Sequence, residues 1–245
     1  MSTSNEERKQ TKMNKIDRRH IYGIMIDTET ANIHSDETGR LDCRDALTYD
    51  VGFHVIDTHG REYGEKHSFV NTDVFFHEKE AMKSAYYADK IAKYWEDIKA
   101  GTRTLANTYE IRKALAEVIK KYDCKFICAH NARFDYNALN STQRYMTKSQ
   151  YRHFVPRGLV WYDTLKMARS VLKQMPTYRR FCEENGYMTK NNQCRYTAEV
   201  IYRYITKDND FVESHTGLED VEIETAIFAY CHRQHKKMKK LLWEN

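Results

Sequence analysis

Two carboxylates separated by a single residue, Asp27 and Glu29, stand directly after an apolar run at residues 21–26. In an extended strand, neighbours at i and i+2 point to the same face. Charged groups at the end of a buried strand are costly unless they are paired, and the apolar run contains no basic residue. Two adjacent carboxylates also repel each other unless a positive charge lies between them. The pattern therefore predicts that Asp27 and Glu29 bind a divalent metal ion.

A third carboxylate, Asp135, falls in the first turn of a helix that the sequence predicts near residues 134–146. A short strand is predicted just before it, at residues 125–129. The helix dipole favours a carboxylate in this position without any metal. For Asp135 taken alone, a structural role and a catalytic role are therefore about equally well supported. His130, at the end of the short strand, is interpreted as a structural residue.

A fourth acidic position, Asp220, follows His215 by five residues. On a continuous helix this spacing would place the two side chains on different faces. However, Thr216 and Glu219 have the spacing of a capping box, which predicts that Thr216 is the N-cap of a helix. His215 then lies before the helix and Asp220 lies in or just after its first turn. We expect both side chains to converge on one site.

The remaining segments predict the elements that position these residues. Strands are expected around residues 49–55, 63–70 and 159–162, with a hairpin turn at 57–60 between the first two. One helix is expected over residues 87–98, ending near Gly101. A second begins at Asn107, which has capping-box spacing to Glu110, and a third begins at Asp163. Three early strands followed by strand–helix alternation predict one α/β domain with a mixed sheet.

The composition is that of a soluble, folded chain. Its 245 residues suffice for one good-sized domain, and 41% hydrophobic with 31% charged residues exclude a disordered or a membrane protein. No apolar stretch is long enough to span a membrane and no signal peptide is present, so we expect an intracellular, cytoplasmic location. The net charge of +5, from 40 basic and 35 acidic residues, suits nucleic-acid binding without demonstrating it.

Basic residues are concentrated in a few segments. Residues 1–20 are rich in Lys and Arg, and we interpret them as a disordered tail, with residues 21–245 forming a single domain. A basic arm on a phosphate backbone is the alternative for the tail. Basic and aromatic residues also mix at residues 148–154 and around residues 187–196. Such mixtures are typical of surfaces that follow a phosphate backbone, but an ordinary solvated surface explains them equally well.

Together, the motifs resemble those of one known family. Asp-Thr-Glu-Thr at residues 27–30, His-Asn-Ala-Arg-Phe-Asp at residues 130–135 and the spacing from His215 to Asp220 are similar, in this order, to the three exonuclease motifs of the DEDDh family. Tyr-Asp-Thr-Leu at residues 162–165 is also a familiar element there. The proofreading subunit of bacterial DNA polymerase III, ribonuclease T and oligoribonuclease are similar proteins. The resemblance implies an RNase H-like fold, with a five-stranded mixed sheet flanked by helices.

The resemblance also implies a mechanism with two divalent metal ions, Mg²⁺ or Mn²⁺. Such a pair activates water, stabilises the transition state and assists the departing 3′ oxygen. By resemblance, Asp27 bridges both ions and Asp135 supports the second ion through water. Glu29 and Asp220 bind the ion on the side of the nucleophile, and His215 deprotonates the attacking water.

The chain departs from a minimal family member in three places: its basic N-terminal tail, the long loop after Glu29, and the extended stretch between Asp163 and His215. These departures bear on the substrate and partner rather than on the chemistry. Thr30 and Asn131 match positions that lie near the terminal nucleotide in the family.

The expected function is a 3′→5′ exonuclease that releases 5′-mononucleotides, with single-stranded DNA or frayed ends slightly favoured. The same chemistry on RNA, as in ribonuclease T or oligoribonuclease, is the first alternative, because the motifs do not separate the two. The second is an inactive exonuclease fold that binds nucleic acid or tethers a polymerase, although none of the five site residues is missing. A polymerase or another replication or repair protein would be a separate chain. A dinucleotide-binding enzyme is disfavoured, since only nine glycines occur and no G-x-G-x-x-G follows the first strand.

Overall fold

The computed structural model describes residues 16–35, 41–85, 88–213 and 215–244. Across these residues the strands are β1 (Tyr22–Ala31), β2 (His34–Ser35), β3 (Leu41–Asp42), β4 (Leu47–Asp57), β5 (Glu62–Asn71), β6 (Thr104–Ala106), β7 (Phe126–Ala129) and β8 (Val160–Asp163). The helices are α1 (Thr72–Phe75), α2 (Lys79–Met82), α3 (Ile91–Ala100), α4 (Thr108–Tyr122), α5 (Arg133–Thr147), α6 (Thr164–Leu172), α7 (Pro176–Glu184), α8 (Ala198–Thr206) and α9 (Gly217–Arg233).

The main sheet of the described residues is mixed and has six strands, in the order β6–β5–β4–β1–β7–β8, while β2 and β3 form a separate pair. β1, β4 and β5 make the predicted antiparallel meander, and β7 and β8 continue in parallel with β1. The expected α/β class is confirmed, but the expected number of five strands is wrong. The sixth strand, β6, is three residues long and lies parallel to β5 at the edge. So short a segment displays no periodicity in the sequence.

The central strand β1 continues past the point where its apolar run ends. The sequence predicts a strand that finishes in residues 27–29, but β4 pairs with β1 beyond Glu29 and prolongs it. The register places Asp27 opposite Gly52 and Glu29 opposite Asp50, with a bulge directly after Glu29. The two carboxylates therefore lie within the sheet rather than at its end.

Helices cover both faces of the sheet. On one face, Ile24 and Ile26 pack against α4 and α5. On the other face, Met25 packs against α6, α8 and α9. Because strand side chains alternate, the two carboxylates of β1 follow Met25 and face α9, whereas Thr28 faces α5.

Three of the predicted segments fall partly outside the described residues. One is the long loop after Glu29, which is described only up to residue 35 and again from residue 41. The tail at residues 1–20 is described only from Ile16, and the Tyr22 hydroxyl donates a hydrogen bond to the Asp17 carbonyl oxygen. The helix expected over residues 87–98 is α3, which ends at its left-handed cap Gly101 as predicted. No helix in the described part of the chain is long and apolar enough to cross a lipid bilayer.

The N-terminus of α9 approaches β4 more closely than a side chain permits. Gly52 of β4 lies against Gly217, the first residue of α9. A Cβ atom on Gly52 would lie 2.2 Å from the Gly217 carbonyl carbon, and a Cβ on Gly217 would lie 2.7 Å from the Gly52 nitrogen. Both distances are far inside van der Waals contact. Two facing glycines are therefore required for α9 to reach the sheet.

Replacing Gly52 by Ala tests this close approach. The added methyl group must push α9 away from β4, and overpacking of this kind costs about 1–3 kcal/mol. For a chain of this size the expected fall in Tm is roughly 2–12 °C, measured by circular dichroism melting. Because α9 carries Asp220, the variant should also lose any stabilisation by Mn²⁺.

The matched control is Gly158→Ala. Gly158 has a left-handed φ of 95°, but a Cβ there meets no atom within 4 Å. That variant is strained only in its own backbone, so it should keep the full Mn²⁺-induced shift in Tm. A Gly52→Ala variant that also kept the full shift would show that this contact does not position α9.

Candidate active site

A cavity of about 850 Å³ opens where β1, the turn after β7 and the N-terminal end of α9 meet. All seven residues predicted for the site line it: Asp27, Glu29, Thr30, Asn131, Asp135, His215 and Asp220. Three separate stretches of chain contribute these side chains, so only the folded chain brings them together. The volume is in the range of roughly 300–1,000 Å³ that is typical of ligand pockets.

Three of the carboxylates form a tight group. One oxygen from each of Asp27, Glu29 and Asp220 lies within 4.8 Å of the other two. Glu29 and Asp220 are both 5% exposed, whereas Asp27 is partly open to the cavity. Asp220 Oδ1 is buried with no hydrogen-bond partner among the described residues. Strand β1 supplies two members of the group and helix α9 the third.

Asp135 approaches the cavity from the opposite face of β1. It lies in the first turn of α5, as predicted, and its side chain is buried. Thr28 Oγ1 donates a hydrogen bond of 2.9 Å to Asp135 Oδ1. The residue between the two carboxylates of β1 therefore holds the fourth carboxylate in place. Asp135 lies outside the group that meets within 4.8 Å.

His215 precedes α9 in a left-handed backbone conformation, with φ of 54°. Thr216 is the N-cap of α9, as predicted, and its hydroxyl donates a hydrogen bond to the Glu219 carboxylate. His215 Nδ1 lies 3.9 Å from Glu213 Oε2. Burial, with a contribution from the positive charge of Lys90, lowers the pKa of His215 below its ordinary value. The ring is therefore neutral at neutral pH and able to accept a proton.

The start of α9 is anchored by Asp50, a fully buried carboxylate of β4. Asp50 Oδ2 accepts hydrogen bonds from the Gly217 backbone N–H at 3.0 Å, the Tyr94 hydroxyl at 2.5 Å and Arg103 Nη1 at 3.0 Å. The first N–H groups of a helix have no partner within the helix, so Asp50 caps α9 from a distant strand. Burial raises the pKa of Asp50, and the three donors oppose that rise by stabilising the charged form.

The two predicted substrate contacts lie at the cavity wall. Thr30 in β1 is 1% exposed, while Asn131 is exposed in the turn after β7, with φ of 63°. The Asn131 backbone N–H donates to Asp163 Oδ1 at 3.2 Å, and Asp163 also caps α6. The His130 ring makes a hydrogen bond of 3.0 Å with the Tyr196 carbonyl oxygen. That contact is structural, in line with the interpretation of His130 from the sequence.

Glu224 is a fifth buried carboxylate that the motifs do not reveal. It lies one helical turn after Asp220 on α9, is 3% exposed and lines the cavity. The His130 backbone N–H faces its carboxylate, but Oε2 is buried with no hydrogen-bond partner in the described part of the chain. In the sequence, only its spacing of four residues from Asp220 indicates that Glu224 lies at the site, because this spacing places both residues on one helix face.

Glu213 is a second acid that sequence reasoning missed. One ligand atom from each of Glu213, His215 and Asp220 lies within 4.8 Å of the other two. The Glu213 side chain is 12% exposed, and burial, with repulsion from Glu199, raises its pKa to about 7. In the sequence it is an isolated acid in a polar stretch, so nothing local indicates its position.

Burial of so many acids in one place raises their pKa values. Burial is the largest cause for each of them, and it raises the pKa of Asp135 to about 7 and that of Asp220 to about 8. Burial and repulsion from Glu224 raise the pKa of Asp27 well above its ordinary value. The pKa values of Glu29 and Glu224 are raised in the same way. The charged forms need a nearby positive charge.

These residues fit a hard divalent cation such as Mg²⁺ or Mn²⁺. The tight group offers carboxylate oxygens, which such ions prefer as ligands. Asp220 Oδ1 and Glu224 Oε2 are buried oxygens that no group of the described residues satisfies. A cation held by Asp27, Glu29 and Asp220 would offset both the burial and the mutual repulsion of the carboxylates.

Solved structures of exonucleases share this fold. A moderately thermophilic exonuclease I from Methylocaldum szegediense is similar with a TM-score of 0.51 and 15% identity, over 88% of this chain and 41% of its own. A 3′-exonuclease that recognises the histone mRNA stem-loop is similar with a TM-score of 0.51 and 12% identity, over 96% of this chain and 73% of its own. No family model and no curated protein matches the sequence. The chain has the RNase H-like fold of these exonucleases.

Without divalent metal, we expect the chain to lose stability as the pH rises from 6.5 to 8. Folded Asp220 and Asp135 keep their protons up to about pH 8 and 7, whereas an unfolded Asp releases its proton near pH 3.9. The folded state therefore binds more protons, and stability falls as the pH rises towards the folded pKa values. Each such group contributes up to about 1.4 kcal/mol per pH unit.

Thermal melting in EDTA at pH 6.5 and pH 8 measures this effect. The window begins at pH 6.5 because buried His54 and His130, with pKa values of about 4, act in the opposite direction at lower pH. Mn²⁺ should raise Tm more at pH 8 than at pH 6.5, since it competes with the protons for the same oxygens. A Tm in EDTA that stayed constant or rose over this window would contradict the raised pKa values.

The Glu224→Gln variant should distinguish the loss of stability that this carboxylate causes in the metal-free fold from its contribution to metal binding. Gln is neutral at every pH, so folding no longer has to bury a charge or take up a proton at this position. Tm in EDTA at pH 8 should therefore rise by roughly 2–4 °C for each ~1 kcal/mol gained. The Mn²⁺-induced increase in Tm should become smaller. Glu222→Gln is the control on the same helix, because Glu222 is half exposed and pairs with Lys66. A lower Tm in EDTA for Glu224→Gln would instead assign this residue a purely structural role.

Proposed function

We propose that this chain is a metal-dependent 3′→5′ exonuclease, a hydrolase that cuts phosphodiester bonds at the 3′ end of a nucleic acid and releases 5′-mononucleotides. Residues 21–245 would form a single exonuclease domain. The observation that carries this proposal is the meeting of Asp27, Glu29 and Asp220 within 4.8 Å, in a cavity that Asp135 and His215 also line. The fold shared with exonucleases supports it.

Four carboxylates would hold two divalent cations, Mg²⁺ or Mn²⁺. As the DEDDh resemblance implies, the first would be held by Asp27, Glu29 and Asp220, and the second by Asp27, with Asp135 supporting it through water. When bound, such cations supply the positive charge that activates water and stabilises the transition state at phosphorus. The buried position of the carboxylates strengthens these charge interactions, because little water screens them.

His215 is the proposed general base. Its lowered pKa keeps the imidazole neutral at neutral pH, so it can take a proton from the attacking water. The ring lies beside Asp220, next to the oxygens that would hold the cation. Glu213 Oε2, at 3.9 Å from Nδ1, would stabilise the imidazolium after the proton transfer.

A single-stranded 3′ end is the proposed substrate, with DNA or frayed duplex ends as the first candidate. RNA is the second candidate, because one structure with this fold is a 3′-exonuclease that recognises a histone mRNA stem-loop. The two substrates differ in the 2′-hydroxyl of the terminal sugar, and Thr30 and Asn131 are the residues proposed to lie near that sugar. A polymerase or another replication or repair protein, as a separate chain, stays a prediction.

Matched single-stranded DNA and RNA oligonucleotides, labelled at the 5′ end, test the activity and the substrate together. In Mg²⁺ or Mn²⁺ we expect a ladder that shortens from the 3′ end and released 5′-mononucleotides. EDTA should stop the reaction, and Asp27→Asn should abolish it, because that carboxylate is shared by both proposed cation positions. His215→Ala should lower the rate by about 10²–10⁴-fold, the usual contribution of a general base.

Glu222→Gln should retain full activity, because Glu222 lies on α9 but outside the cavity. Cleavage that persists in EDTA would rule out the metal-dependent mechanism. Full activity of Asp27→Asn would disprove the site assignment. A wild-type chain that binds single strands but releases no nucleotide in either metal would be the inactive nucleic-acid-binding module instead.

A further inference from the structure

The cavity has a second wall of opposite chemical character to its acidic floor. This arginine wall consists of Arg169, Tyr187, Arg195, Tyr196 and Arg203. Its residues come from α6, α8 and the segment between α7 and α8, all within the extended stretch before His215. Glu199 lies on α8 beside this wall and pairs with Arg203. Six further acids line the same cavity, which are Asp27, Glu29, Asp135, Glu213, Asp220 and Glu224.

The three arginines of this wall are in different situations. Arg203 is held inside the protein, since it pairs with Glu199 and donates to the Phe211 carbonyl oxygen at 2.7 Å. Arg169 and Arg195 are exposed, and neither forms an ion pair with any described residue. Their guanidinium groups therefore remain able to bind an anion that enters the cavity.

Both exposed arginines are presented from a fixed backbone. The Arg195 N–H donates to the Tyr187 carbonyl oxygen at 2.9 Å, and the Arg195 carbonyl oxygen accepts from the Tyr178 hydroxyl at 2.5 Å. Arg169 lies on α6 with its guanidinium 6.0 Å from the centre of the Tyr196 ring. The Tyr196 ring in turn stacks on Tyr178 at 5.6 Å. A fixed backbone restricts the positions that each guanidinium can reach, so less entropy is lost when it binds a ligand.

The proposed reaction restricts which phosphates these arginines can reach. A 3′-terminal nucleotide carries one backbone phosphate, the one that is cleaved, and that phosphate must lie at the carboxylates and their cations. Positive groups on another wall can therefore bind only phosphates further along the strand. A strand entering an acidic cavity also needs such groups to offset its repulsion from the acids.

We propose that Arg169 and Arg195 form a phosphate subsite that binds the backbone of the single strand on the 5′ side of the cleaved bond. This proposal rests on the proposed exonuclease function. Arginine binds phosphate oxygens through two parallel N–H groups, and such contacts position a strand without reading its bases. The subsite therefore favours strands of several nucleotides over mononucleotides, and it does not discriminate between base sequences.

Salt-dependent binding tests the subsite without requiring cleavage. Fluorescence anisotropy with a labelled single-stranded oligonucleotide is measured in the Asp27→Asn background. Each of Arg169→Gln and Arg195→Gln should reduce the slope of log K against log [salt] by about 0.7, and the double variant by about 1.4, the value per phosphate contact on a single strand. Arg179→Gln is the matched control, because Arg179 is an exposed arginine of α7 that pairs with Glu183 and does not line the cavity.

A competing nucleoside 5′-monophosphate separates the subsite from a general effect of charge. It carries only the phosphate that lies at the carboxylates, so its inhibition constant against the otherwise wild-type chain should be the same with and without the arginine substitutions. The KM for a long strand should rise while kcat stays constant. An unchanged salt slope in the double variant, or an equal loss of affinity for the mononucleotide, would overturn the proposal.

A failure of the subsite can be distinguished from a failure of the proposed function. Suppose that the wild-type chain shortens 3′ ends, and that the arginine variants bind single strands with the same affinity and salt slope as the wild type. The subsite is then wrong and the proposed function stands. If strand binding depends on both arginines but no nucleotide is released in Mg²⁺ or Mn²⁺, the subsite stands and the function is wrong.

Discussion

The placement of α9 against β4 is the constraint on which most of the site depends. Gly52 and Gly217 permit backbone contact, and Asp50 binds the first N–H of the helix at 3.0 Å. This position brings Asp220 to the carboxylates of β1 and leaves His215 on the turn just before the helix. A small displacement of the helix would separate oxygens that now meet within 4.8 Å.

Two buried carboxylates near this contact show how surroundings decide the role of an acid. Asp50 has three hydrogen-bond donors, including Arg103, whose side chain is only 6% exposed. It is therefore paired within the protein and serves the fold. Asp50 Oδ1 and Glu224 Oε2 are both buried without a partner among the described residues. However, the strongest charge beside Glu224 is another acid, Asp135, whereas the strongest charge beside Asp50 is that of Arg103. A group placed like Glu224 destabilises the metal-free fold and favours binding of a cation, which links stability to function at this site.

The cavity combines two walls that come from different parts of the chain. Five of the acids belong to β1, α5 and α9, whereas Glu199 lies on α8 and Glu213 in the segment after it. The exposed arginines belong to α6 and the segment before α8. Because α6 and α8 pack on the same face of the sheet as α9, both groups of residues line one cavity.

The sequence by itself indicated the strands and helices that carry the motifs, and it indicated the acids Asp27, Glu29, Asp135 and Asp220 that line the cavity, because these signals are local. The apolar run before Asp27 indicated β1, and capping patterns at Asn107 and Thr216 located the starts of α4 and α9. Only the tertiary structure decided which groups meet. The bond from Thr28 to Asp135 joins residues 107 positions apart, and the bond from Gly217 to Asp50 joins residues 167 apart. No local pattern records such contacts, and for the same reason the three-residue strand β6 and the burial of Glu224 could not be predicted from the sequence.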